Sequence, residues 1–272
     1  MTRYALNPSM PVLLRPDGAV QVGWDPRRAV LVHPPYGLSP TTLAELLRTL
    51  QSGATLADLQ ARFEVDAGEL VTSLVDAGVV TTAERRRTRA ASIRIHGRGP
   101  LSDLLAGALR CSGARVTHSS QTNAAPDSTD LVVLSDFLVA DPRVVRELHT
   151  ARVAHLPVRL RDGAGLVGPL VIPGVTSCLR CADLHRCDRD ATWPAVASQL
   201  RDTVGSADRA TVLATAALAL NQVDRVIRAV RGGENAGISA EPPPTLDTTL
   251  EFDVNAGAIV ARRWSRHPRC WC

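Results

Sequence analysis

The spacing of apolar and polar positions divides this chain into two differently patterned parts. At the start, short apolar runs lie between turn residues. "VLLRPDGAVQVGW" is two short strands around Pro16-Asp17-Gly18, and "AVLVH" (Ala29 to His33) is a third, stopped by Pro34-Pro35. The period then changes to that of a helix. Ser39 and Pro40 can start one, and Leu43, Leu46, Leu47 and Leu50 share its face. Thr55 to Asp58 opens a short second helix carrying Leu56 and Leu59. Asp66-Ala-Gly-Glu69 predicts a capping box for a third helix, which buries Leu70, Val71, Leu74 and Val75 and ends at Gly78. "VVTT" returns as a strand. Three strands, three helices and a returning strand predict a winged helix-turn-helix over residues 1–83.

Residues 84–92, "ERRRTRAAS", read as a solvated linker. From residue 93 to 272 strands alternate with helices, which predicts an α/β domain with a largely parallel sheet. "SIRIHGRGPLSDLL" is a strand, a glycine turn and a helix; "ARVTHSS" and "DLVVLSD" are further strands. A long helix covers about Ala207 to Arg231, and the last strands form a hairpin around Asn255-Ala256-Gly257.

Composition narrows the classes. At 272 residues with 45% hydrophobic and 21% charged positions, the chain can bury two cores. All 31 basic residues are arginine, so no mechanism can use a lysine. The net charge of +4 is spread along the chain and marks no nucleic-acid surface. The longest apolar stretch, Ala210 to Leu220, is shorter than the ~20 residues of a membrane helix, and the start shows no signal-peptide run. A cytoplasmic protein with reduced cysteines is expected.

Six cysteines occur, at 111, 178, 181, 187, 270 and 272. Cys178-Leu-Arg-Cys181 is a CxxC knuckle, and Cys270-Trp-Cys272 offers two more thiolates. Four thiolates make a closed structural zinc site, so Cys178, Cys181, Cys270 and Cys272 are the expected ligands. Cys187, His185 or His267 could replace one of them. Cys111 is expected to be buried on a helix.

Gly97-Arg98-Gly99 follows the first strand of the second part, where nucleotide folds bind phosphate. The fingerprint is broken: Pro100 removes an amide donor and Ser102 replaces the third glycine. The second strand ends in Thr117-His118-Ser119-Ser120, without the acid that would hold a ribose. Asp127 and Asp130 read as loop and strand-entry residues. Gly97 and Gly99 are therefore a degenerate cofactor site, and bound ATP is not expected.

The stretch "PLVIPGVTSCLRCADLHRCDRDATWP" (Pro169 to Pro194), with Pro173-Gly174, the CxxC and Asp183-Leu184-His185, resembles the ThiF-like, ubiquitin-activating-type fold. It is similar in particular to leader-peptide-binding partner proteins of thiazole/oxazole-modified peptide (TOMM) pathways. The resemblance covers nearly the whole chain. It implies an N-terminal recognition element for the leader of a ribosomal precursor peptide and a ThiF-like body that docks a YcaO-type ATP-dependent cyclodehydratase. It also implies that the paired cysteines are zinc ligands.

The expected fold is thus α/β, a winged helix-turn-helix followed by a degenerate ThiF-like Rossmann-type domain with structural zinc. The expected role is leader binding and scaffolding, with no catalytic residues. The peptide would add to a sheet edge between Val30 and Val32 and the helix bearing Leu70, Val71 and Leu74. A homodimer is compatible with this role; no nucleic acid or membrane partner is expected. Two alternatives are an ATP-dependent adenylating enzyme and a winged-helix DNA-binding regulator. Against the regulator, "DAGELVTSLVDAG" carries Asp66, Glu69 and Asp76 and no arginine.

Overall fold

The computed structural model describes residues 2–84, 89–119, 128–232 and 242–272. The arginine run at 85–87 of the expected linker, with Ser120 and Asp127, lies outside them. The chain divides into two compact units, Met1–Arg87 and Thr88–Cys272. No described helix is long and apolar enough to cross a membrane.

The first unit contains β1 (Thr2–Leu6), β2 (Val12–Leu14), β3 (Val20–Val22), β4 (Val30–Val32), α1 (Pro40–Gln51), α2 (Leu56–Phe63), α3 (Gly68–Asp76) and β5 (Val80–Glu84). β2, β3 and β4 form an antiparallel meander. β1, which the local pattern did not reveal, pairs antiparallel with β5, matching Leu6 to Val80. Its partner lies far along the chain, so nothing in the run "TRYAL" announces it.

Ser39 caps α1 by accepting from the Thr42 amide, and Leu43, Leu46, Leu47 and Leu50 are fully buried in the core. The reciprocal capping box falls on α2, between Thr55 and Asp58. The box expected at Asp66 and Glu69 does not form. α3 starts at Gly68 with Ala67 as its cap, so the two acids miss the required positions, and Asp66 instead accepts the Gly68 amide at 3.0 Å.

The second unit runs β6 (Ser92–His96), α4 (Pro100–Leu109), β7 (Arg115–Ser119), β8 (Leu131–Ser135), α5 (Pro142–Thr150), β9 (Ala154–Arg161), β10 (Ala164–Val167), α6 (Leu179–Arg189), α7 (Trp193–Leu200), α8 (Arg209–Gly232), β11 (Thr248–Asp253) and β12 (Ala258–Arg263). One seven-stranded sheet has the order β12-β11-β10-β9-β8-β6-β7. β7, β6, β8 and β9 are parallel, whereas β9 to β12 are antiparallel. The sheet is therefore mixed, not largely parallel. The chain turns back after β9 through Asp162-Gly163, both at positive φ, which is what a two-residue hairpin demands.

β8 shows why the parallel half is covered on both faces. Leu131 and Val133 join the core beneath α4 and α8, while Val132 and Leu134 join Val144 and Leu148 of α5. α8 lies so close to β10 that a Cβ on Gly165 would overlap Thr215 Oγ1. Replacing Gly165 with alanine should therefore cost about 1–3 kcal/mol of stability. A urea midpoint equal to that of the parent protein would show that the helix can simply move away.

Candidate functional site

Cys178 immediately precedes α6 and Cys181 sits in its first turn, so the helix start brings both sulfurs to one side. Beyond β12 the tail folds back over this loop. The Trp264 amide donates to Asp247 O at 2.7 Å, and its indole donates to Thr249 Oγ1 at 3.0 Å. Arg266 donates to the carbonyls of Gly174 at 2.8 Å and Cys272 at 3.3 Å.

The four sulfurs converge. Cys178 and Cys181 are 3.8 Å apart, Cys178 and Cys270 3.5 Å, and Cys181 and Cys272 3.4 Å. Sulfurs about 2.3 Å from a tetrahedral ion stand about 3.8 Å from each other, so this donor set fits one. A disulfide would need about 2.05 Å. Burial pushes the Cys178 thiol up and the Cys272 thiol to about 11. Burial also acts against the Cys181 thiolate, but bonds from the backbone of His267 and Cys178 and from the neighbouring thiols prevail and lower its pKa. A cation at the centre would draw off the remaining protons.

The other proposed substitutes stand apart from this cluster. Cys187 is half-buried along α6. Cys111 is exposed, because α4 ends at Leu109 and leaves it in the following turn. His185, Asp188 and His267 meet beside the cysteines. His267 Nδ1 accepts the Arg269 amide at 3.1 Å, so its Nε2–H donates to Asp188 Oδ2 at 2.7 Å. The Arg269 guanidinium takes the other carboxylate oxygen. With both nitrogens committed, His267 is a clasp between tail and α6, and it is not free to bind an ion as a neutral imidazole.

The glycine turn has an occupant of its own. Asp136, 1% exposed, follows β8 and accepts the Leu101 amide at 2.9 Å and the Ser102 amide at 3.2 Å. Its carboxylate thus fills the N-terminus of α4, where a phosphate would bind. Ser102 Oγ accepts the Gly99 amide at 3.0 Å and donates to Gly99 O at 2.9 Å. A Cβ on Gly99 would lie 2.8 Å from Asp136 Oδ1, and one on Gly97 would overlap Ser135 Oγ. Both glycines thus serve close contact with this chain's own residues. The segment after α7 lies across the same strand ends: Leu138 N donates to Thr203 O and Gly205 N to Asp136 O, both at 3.0 Å. His118 Nε2 lies 3.1 Å from Gly97 O, at the strand end where a ribose-binding acid would stand. Asp130 accepts the Ser92 amide and pairs with Arg89. Sequence reasoning missed Asp136, although an aspartate ending the strand "LVVLS" opposite a glycine turn was the available signal.

In the first unit, Val32, Val71 and Leu74 belong to the core, and Val30 and Leu70 pack partly buried against it. The opposite face of the meander carries Leu13, Gln21 and Leu31 in register; the two leucines are 40% and 48% exposed. The sheet's two edges differ. At β2, Arg48 donates to Val12 O and Gln51 to Met10 O, while among the described residues β4 pairs only with β3. Trp24 and Tyr36, both exposed, flank β4 in the chain.

No family model and no curated protein matches this sequence. Solved structures do. A heterocyclase in complex with substrate and cofactor aligns with 100% of the chain at TM-score 0.70 and 14% identity. The heterocyclase TruD does so at 0.67 and 16%. The chain has the fold of these heterocyclases. It spans 39% and 42% of their respective lengths. Escherichia coli MccB, solved with ATP, aligns over 99% of both chains at TM-score 0.57 and 13% identity. The mixed sheet with helices on both faces fits the ThiF-like expectation.

Because the Asp136 carboxylate satisfies two buried amides, Asp136→Ala should lower stability by about 1–3 kcal/mol. Chemical denaturation measures this directly; an unshifted midpoint would mean that the carboxylate does not hold the turn.

Proposed function

We propose that this chain is a non-catalytic leader-peptide-binding and scaffold protein. It presents a ribosomal precursor peptide to a separate YcaO-type cyclodehydratase for azoline formation. The observation that carries the reading is the open edge of β4, with Leu31 exposed beside it and Leu13 on the same face. An extended peptide can add there as a fourth strand, its backbone bonds supplying affinity and its side chains reading Leu31. The core residues Val32, Val71 and Leu74 hold the winged-helix unit rigid behind it, while Val30 and Leu70 can line the groove.

The fold likeness supports this role. One heterocyclase of this fold was solved with its substrate, and MccB was solved with MccA. The chain matches only part of the heterocyclases' length. The likeness to MccB with ATP favours adenylation as a second reading. Asp136 and the segment across the strand ends weigh against it, because they take the place of the phosphates. A DNA-binding role is disfavoured by the exposed Asp66, Glu69 and Asp76 along α3, which repel phosphate.

The test uses the full chain and a fluorescein-labelled leader peptide of the precursor encoded beside it. Leu31→Glu should weaken binding about tenfold, which is about 1.4 kcal/mol, without changing the circular dichroism spectrum, whereas Leu13→Glu on the far strand should leave affinity unchanged. Unchanged affinity in Leu31→Glu, or exchange of pyrophosphate into ATP by the parent protein, would overturn the reading.

The four cysteines are proposed to hold one structural zinc. Elemental analysis should find about one zinc per chain. Deleting Cys270 to Cys272 should remove it and lower the stability of the second unit, while leader affinity stays unchanged. A truncated chain that keeps both metal and stability would exclude this assignment.

A further inference from the structure

At the C-terminal ends of β6, β8 and β9 lies a cavity of about 100 Å³. His96, Ser135, Asp141, Arg159, Arg201 and Asp202 are on its wall. Parallel α/β sheets bind ligands at this end, where the order of strands reverses from β7-β6 to β8-β9.

The charges on this wall are unequally satisfied. Arg159 is enclosed by protein but lines the cavity, and it donates to Leu138 O at 3.1 Å. A guanidinium has five N–H donors, and among the described residues no carboxylate lies within ion-pair range of this one. Burial, with Arg186 and Arg161 nearby, brings its pKa down to about 10, against the opposing influence of Asp183. The acids on the wall already have partners: Asp141 caps α5 through the Arg143 amide at 2.8 Å, and Asp202 pairs with Arg201 at 3.4 Å. His96 is 8% exposed, and its Nδ1 is buried without a hydrogen-bond partner. Burial and Arg94 lower its pKa, so it stands neutral and can offer an N–H.

We propose that this cavity binds a single small oxyanion, a carboxylate or phosphate group, anchored by Arg159 with Arg201 and His96 as further donors. Planar guanidinium groups match such oxyanions with paired hydrogen bonds. Pockets for drug-sized ligands span about 300–1,000 Å³, so this one takes one charged head and excludes a nucleoside triphosphate. The site is independent of leader binding at β4.

Thermal denaturation of the full chain at constant ionic strength tests the proposal. The probes are inorganic phosphate, acetate, and a short peptide with a free C-terminal carboxylate beside its amidated twin. A saturable rise of a few degrees in the midpoint is expected with at least one oxyanion. Stabilisation by the free-carboxylate peptide but not its amidated twin assigns the group to a peptide terminus. Stabilisation by phosphate or acetate with neither peptide acting assigns it to a free ion. Arg159→Met, which keeps the length and removes the charge, should abolish the rise. Should that variant not fold, Arg201→Gln, at an exposed position, should raise the half-saturating concentration several-fold. No saturable shift with any probe, or equal shifts in parent and variants, would overturn the proposal.

Discussion

A buried carboxylate at the start of a helix sets the character of the second unit. Asp136 satisfies the amides of Leu101 and Ser102, and in doing so it takes the position that makes such folds nucleotide binders. Its closeness requires glycine at 99, and the carbonyl of the same residue receives the Gly205 amide. One residue, through its carboxylate and its backbone carbonyl, therefore couples the glycine turn, the end of β8 and the segment over the strand ends. What remains open beside it is a cavity for a single charged group.

The tail depends on a second set of short-range bonds. Arg266, His267 and Arg269 tie it to the loop at Gly174 and to Asp188, and these contacts bring Cys270 and Cys272 to Cys178 and Cys181. Closing a long loop by a cross-link gains stability chiefly by restricting the unfolded chain. An ion among four sulfurs would do this across some ninety positions.

The first unit divides its apolar residues by alternation. Positions 12, 20, 22 and 32 turn inward, whereas 13 and 31 face out. The inward set keeps the meander in register, while the outward set stays exposed. Side chains of α1 occupy the β2 edge, so β4 is the strand that offers its backbone.

Much of this was legible in the residues themselves. Leucine spacing determined α1, Thr55 to Asp58 marked the start of α2, and the paired cysteines named the four sulfurs that meet. These are local signals, carried by period and spacing within a few residues. Tertiary structure alone decided the pairing of β1 with β5, the antiparallel half of the sheet and the inward turn of Val32. It also decided that Asp136 fills the glycine turn and that Arg159, among the described residues, has no carboxylate within ion-pair range. Each of these rests on contact between residues remote in the chain, and one-dimensional spacing holds no record of which distant group will come to satisfy a buried charge or amide.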